Sequence, residues 1–173
     1  MPRASILATV MVRAAGNDDA EAMAQVIAAV AEEGSIGAEP PVDIEARAQR
    51  FRDVLADGGA GGMWVLDEEG RVVGLAGAYE SGPAGVLAIG MALLPRARGR
   101  GGGRALLGAV LDHARAHEAH KVELEVWPDN ARAIALYARV GFRVEGVRRD
   151  HYRRRDGTLR STLLMAYLLE ERG

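Results

Sequence analysis

Pro95-Arg96-Ala97-Arg98-Gly99-Arg100-Gly101-Gly102-Gly103-Arg104 is the stretch that decides how this chain folds. The apolar run Val86 to Leu94 leads into it, and Leu106, Leu107, Val110, Leu111 and Ala114 follow at helical spacing. The order is therefore strand, glycine-rich loop, helix. That order makes an anion site. Glycines let backbone N–H groups close in on a phosphate, and the unpaired donors and positive dipole end of a new helix favour its charge. Arg98, Arg100 and Arg104 add cations at the same point. Taken alone, the loop reads equally well as a flexible, solvated Gly/Arg segment. A nucleoside-triphosphate loop would end in Gly-Lys-Ser/Thr, which is missing here. A dinucleotide fingerprint belongs after the first strand, not past the middle of a chain.

Downstream, Val122, Glu123, Leu124, Glu125 and Val126 alternate, which sets both glutamates on the face opposite the aliphatic side chains. A strand between two helices usually lies inside its sheet, where an ionised carboxylate is costly unless that face is wet or paired. The alternation thus predicts a cleft on one face; a solvated edge strand is the other reading. In a cleft, partial desolvation would push a carboxylate towards neutrality, which suits a base that takes a proton from an ammonium group. Trp127-Pro128 forces an extended exit, because the residue before proline avoids helical angles. Asn130 then heads a helix with Tyr137 seven residues on, two turns along the same face. Read blandly, Asn130 is an N-cap and Tyr137 a core aromatic.

The two segments together have a family resemblance. Arg98-Gly99-Arg100-Gly101-Gly102-Gly103 resembles the Arg/Gln-x-x-Gly-x-Gly/Ala loop of the GNAT superfamily, the acetyl-CoA-dependent N-acetyltransferases. Asn130-Ala131-Arg132-Ala133-Ile134-Ala135-Leu136-Tyr137-Ala138-Arg139-Val140-Gly141-Phe142 resembles its second signature, at the expected distance. The resemblance runs from about Val86 to Leu169 and is similar to the ribosomal-protein N-terminal alanine acetyltransferases and to relatives acting on small amines or amino-acid analogues. It implies an α/β (α+β) domain with a mixed, mostly antiparallel sheet and helices on both faces. It implies acetyl-CoA as cosubstrate, no metal, and an amine as acceptor. By motif, Met91, Ala92 and Leu93 would offer backbone groups to the acetyl and pantetheine arm. Gly99, Arg100, Gly101, Gly102, Gly103 and Arg104, with Arg98, would hold the pyrophosphate. Asn130 would touch the cofactor arm, Tyr137 would protonate the departing thiolate, and Glu125 would be the base, with Glu80 or an ordered water as its rivals. Gly102 departs from the family's usual aliphatic residue, which predicts a looser first helical turn at a cost of up to ~1 kcal/mol. Arg160-Ser161-Thr162 stands where relatives often carry an acidic residue.

Size and composition narrow the rest. The 173 residues suit one domain, residues 1–173, with one substantial core. A net charge of -2 supplies no bulk attraction to nucleic acid or anionic membrane. Cysteine is absent, which excludes disulfides, thiolate metal sites and a cysteine nucleophile. That fits a reducing, cytoplasmic setting. The apolar run Ala4 to Val12 is far short of a membrane span, and Arg13 closes it, so it reads as a first strand. No oligomeric state is set, which leaves room for a homodimer. A non-catalytic acyl-CoA-binding domain is the competing function, and the presence of Glu125 and Tyr137 argues against it.

The remaining elements follow from caps and turns. Ile6 to Arg13 predicts a strand. Asn17 is an N-cap candidate for a helix through Met23, Val26, Ile27 and Val30, stopped by Gly34. Ser35 to Val42 reads as a loop, and Asp43 opens a second helix reaching Gly58, followed by a flexible turn to Gly62. Met63 to Asp67 and Arg71 to Tyr79 form a hairpin across Glu69-Gly70; Phe142 to Tyr152 and Thr158 to Leu169 form another across Asp156-Gly157. His113, His117 and His120 mark a helix boundary with water more readily than a metal site. Arg148, Arg149, Arg153, Arg154 and Arg155 predict a solvated hairpin tip rather than a nucleic-acid surface.

Overall fold

A computed structural model describes residues 10–57 and 59–169. The expected first strand appears as β1 (Val10–Ala14); Ile6 to Thr9 lie outside the described residues, as does Gly58. Helix α1 (Ala20–Ala31) and helix α2 (Ile44–Asp57) follow. Next come β2 (Gly62–Glu68), β3 (Arg71–Glu80) and β4 (Val86–Leu93), then α3 (Gly102–Ala116), β5 (Lys121–Val126), α4 (Ala131–Val140), β6 (Arg143–Arg153) and β7 (Leu159–Leu168). The element order matches the one expected from the sequence. No helix is long and apolar enough to cross a membrane among the described residues.

Local chemistry sets the boundaries. Glu69 and Gly70 both take positive φ, 53° and 81°, as a tight hairpin with right-handed strand twist requires. Asp43 caps α2 through Ala46 N–H at 2.9 Å. The cap expected at Asn17 is absent: Asn17–Asp19 form a short 3-10 turn, and the Asp19 carboxylate accepts from Gly16 N–H at 2.8 Å. Asp19 also takes two bonds from Arg13, at 2.7 and 2.8 Å, and Arg13 holds its carboxyl below the usual carboxylate range. The Arg13–Asp19 pair, six residues apart, holds Asp19 in the turn that precedes α1.

One seven-stranded sheet runs in the order β1-β2-β3-β4-β5-β7-β6. All neighbours are antiparallel except β4 and β5. Those two are paired only over Val86–Ala88 with Lys121–Glu123, after which they diverge. Two cores lie on opposite faces. Leu66, Val73, Leu106, Leu107, Val110, Val122 and Met165 pack α3 beneath the sheet. Met23, Val30, Phe51, Met63, Val65, Leu75 and Ala92 pack α1 and α2 above it. Leu106 and Leu107 are fully buried, each contributing roughly 1.5–3 kcal/mol, and this anchors the start of α3 below the gap between β4 and β5.

Candidate active site

The gap begins where β4 and β5 part. Leu94 N–H still bonds Val73 O on β3 at 2.9 Å, so strand alternation turns the N–H groups of Leu93 and Met91 to the other edge. There β5 has already diverged, and those groups face open space. A cavity of about 420 Å³ fills the gap, lined by Met91, Ala92 and Leu93 on one arm and Val126 on the other.

Its far end is the glycine loop. Gly99, Gly101, Gly103 and Arg104 line the cavity. Gly99 and Gly101 take φ of 72° and 86°, with open space where a side chain would stand. A Cβ would be strained at either position, and backbone donors at the start of α3 are left facing the cavity. Arg104, Arg132 and Arg139 also line it, and among the described residues none of the three makes an ion pair. Unpaired cations beside free N–H groups make a site for a di-anion.

Not every loop residue expected there faces the cavity. Arg100 turns away to Glu68 at 2.8 Å. Gly102 faces the core: a Cβ there would sit 2.5 Å from Leu66 Cδ2, so the missing aliphatic side chain lets α3 settle against β2 rather than loosening its first turn. Arg98 lines the cavity, but its guanidinium is committed. It donates to Leu93 O at 2.9 Å and doubly to Glu33 at 2.7 and 2.8 Å, and this pairing holds the Glu33 carboxyl below its ordinary range. Arg98 therefore clips the loop to β4 and to the end of α1.

Helix α4 supplies the other functional group. Asn130 caps it, accepting from Ala133 N–H at 3.2 Å, and Gly141 at φ 118° ends it. The Asn130 amide also donates to Ser35 O at 3.2 Å, so both its ends are engaged although it lines the cavity. Tyr137 is 7% exposed, lines the cavity and has no hydrogen-bond partner for its hydroxyl among the described residues. Burial pushes it up to about 12, so it keeps its proton across the physiological range.

Glu125 lies outside the cavity lining, on the α1/α2 face, where register brings β5, β7 and β6 side by side. Thr162 donates to it at 2.8 Å and the Tyr152 hydroxyl at 2.9 Å, while Arg148 Nη1 bonds its second oxygen. The expected desolvated carboxylate is instead one held by a cation and two hydroxyls. Glu123, on the same face, is taken by Ser81 at 3.1 Å where the gap is closed. The β5 strand is interior, which rules out the edge-strand reading. Sequence reasoning missed Arg148, Tyr152 and Thr162 as neighbours of Glu125; period-2 alternation puts groups on a face but carries no cross-strand register.

Arg154 and Arg155 of the hairpin also differ from expectation. Arg154 donates to Gly37 O at 2.9 Å and pairs with Glu39 at 3.6 Å; Arg155 reaches Glu39 through its N–H and Pro40 O through its guanidinium. Arg160 holds both Asp129 oxygens at 2.8 Å, donates to Gly34 O, and stacks 4.3 Å above the Trp127 ring. Arg154, Arg155 and Arg160 are straps that tie the α1–α2 loop across the sheet, while Arg149 and Arg153 stay exposed as expected of a solvated tip. His113 bonds Ala60 O at 2.9 Å and meets Trp64 edge-on. Among the described residues no three metal-ligating side chains converge.

The acetyltransferase (GNAT) family model matches residues 21–142. Over 59 residues, 34% of this chain, the sequence is 51% identical to the N-alpha-acetyltransferase RimI of Mycobacterium tuberculosis, and the matched stretch spans 35% of that relative's length. Ribosomal-protein-alanine N-acetyltransferase from Brucella melitensis shares the fold at a TM-score of 0.81 and 27% identity, over 92% of this chain and 99% of that one. A GNAT superfamily phosphinothricin acetyltransferase from Sinorhizobium meliloti, solved in complex with acetyl-CoA, shares it at a TM-score of 0.77 and 23% identity, over 93% and 89%. The family match runs from α1 through the glycine loop to the end of α4, so the chain belongs to the acetyltransferase (GNAT) family.

Proposed function

We propose that this protein moves an acetyl group from acetyl-CoA directly to a primary amine, of a small molecule or a protein N-terminus, with no covalent enzyme intermediate. One observation carries the reading: a single cavity joins the N–H groups of the glycine loop to the Tyr137 hydroxyl and the unpaired edge of β4. The free donors and unpaired arginines suit a pyrophosphate, and the narrow gap between strands suits an extended arm. When bound, acetyl-CoA supplies the thioester. The Leu93 N–H stands at the strand edge to receive charge that develops on the carbonyl oxygen.

Glu125 takes the proton from the ammonium group, directly or through the Tyr152 hydroxyl that it already holds. The freed lone pair forms the new C–N bond as the C–S bond breaks, and Tyr137 delivers its proton to the sulfur. General acid and base steps of this kind contribute ~10²–10⁴ in rate, and alignment of amine with thioester contributes more. The cysteine-free sequence and the cosubstrate support a cytoplasmic setting.

The test is release of free thiol from acetyl-CoA over a panel of amines. Glu125→Gln is expected to lower kcat roughly 100-fold with acetyl-CoA affinity unchanged. Unchanged turnover removes Glu125 from the reaction. Binding of acetyl-CoA without transfer to any amine favours the non-catalytic acyl-CoA-binding role.

A further inference from the structure

Gly90 sits in the middle of β4, and nothing in the fold calls for a glycine there. Its φ lies outside the left-handed region, its register with Gly77 of β3 is regular, and no atom lies within 4 Å of where its side chain would stand. A glycine inside a strand weakens it; where no bulge or bend is present, it marks a place where a ligand comes close to the backbone. Gly77 is small for a different reason. A Cβ there would run into the Tyr79 hydroxyl, so packing alone accounts for it.

The place of Gly90 in the sheet says which ligand. Strands β4 and β5 pair as far as Ala88 and Glu123 and then part. Carried two residues on, the same register sets Gly90 opposite Glu125, and strand alternation puts both on the face that bears α1 and α2. Ala92 and its neighbour Leu75, next on that face, lie beneath those helices. One row further the cover ends, and Gly90 is exposed. Met91 and Ala92, which follow it in the chain, line the cavity that also takes the Tyr137 hydroxyl, 7% exposed and without a partner among the described residues. Bare backbone therefore lies between the Tyr79 phenol and the carboxylate of Glu125, at the edge of the cavity.

We infer that Gly90 is the specificity-determining residue for the width of the acceptor. The carbon that bears the amine rests on the open backbone of Gly90, and the missing side chain leaves room there for a substituent on that carbon. Any side chain at position 90 would stand in the same room and would exclude branched acceptors while still admitting an amine on a plain CH2 group. This assignment rests on the acetyl-transfer reading above.

The experiment uses glycinamide, alaninamide and valinamide, which differ only in the group on the amine-bearing carbon, and follows thiol release from acetyl-CoA together with thermal unfolding. The unaltered protein is expected to turn over all three. Gly90→Val should cut kcat/KM for valinamide roughly 10–200-fold, while glycinamide stays within about threefold and KM for acetyl-CoA is unmoved. Gly90→Ala should give the same ranking more weakly and should raise Tm by roughly 1–4 °C, because alanine fits the strand and restricts the unfolded chain. Glycinamide turnover shows that both variants are folded. Equal losses for the three amides, or a Tm that falls in Gly90→Ala, overturns the assignment and leaves acetyl transfer intact. So does turnover of other amines but none of these three by the unaltered protein. Transfer to no amine at all overturns both.

Discussion

The two ends of the cleft are built differently. At the proposed cofactor end the lining is contiguous: Gly99, Gly101, Gly103 and Arg104 follow one another in a single turn. Around Glu125, the proposed acceptor end, each contact joins distant parts of the chain. Thr162, Tyr152 and Arg148 converge on Glu125 from two other strands, and Arg154 and Arg160 reach back more than a hundred residues to Gly37 and Gly34. A backbone cradle tolerates change in what surrounds it, whereas a side-chain assembly changes with any one member. Within a single domain, the glycine loop and the surroundings of Glu125 are therefore open to separate variation.

Tyr137→Phe tests the division most sharply. It should lower kcat roughly 10²–10³-fold while acetyl-CoA affinity stays within about twofold, measured by steady-state kinetics and calorimetry. A loss of affinity instead would make Tyr137 part of the cradle. Gly101→Val should do the reverse. A β-branched side chain at φ 86° is strained and disturbs the N–H cradle, so acetyl-CoA binding is expected to weaken roughly 100-fold while the fold around Glu125 stays intact. Normal affinity would move the pyrophosphate elsewhere.

The buried phenol also has a stability signature. Burial lifts Tyr137 to about 12, above the ordinary value near 10. Between those values the native state keeps a proton that the unfolded chain loses, so its contribution is full below about pH 10 and is lost as pH rises through about 12. Tyr137→Phe should flatten that alkaline decline by roughly 2–3 kcal/mol in denaturant titrations, and an unaltered decline would place the phenol in water. The smallest effect is expected at the straps. Arg154→Met should raise acceptor KM about threefold and speed proteolysis between residues 34 and 43, because a single long 3.6 Å pair to Glu39 contributes about 1 kcal/mol. Acetyl-CoA affinity should not move; a change there would join the two ends of the cleft.

Much of this was legible before the structure. The strand-loop-helix order, the Asn130 cap, the Gly141 stop and the two hairpin turns depend on residues within a few positions of one another, and all were found. No cap forms at Asn17: Asn17–Asp19 make a 3-10 turn, and Asp19 is held by Arg13, which also bonds Asp67 on β2. Arg154 and Arg155 were misread because their partners lie on a loop that only the sheet brings near, whereas Arg149 and Arg153 are exposed as expected.

Backbone conformation is governed by near neighbours, through φ preferences, caps and apolar periodicity, and these were enough to specify the element order, the glycine cradle and the face carrying Glu125. Register, and with it the partners of Glu125, was decided when the strands aligned, and the same packing brought the α1–α2 loop to Arg154 and Arg160. A one-residue slip of β5 or β7 would have turned Glu125 or Arg160 to the other face. Side-chain chemistry at the acceptor end is therefore a property of the packed sheet, because no local rule says which distant strand will lie alongside.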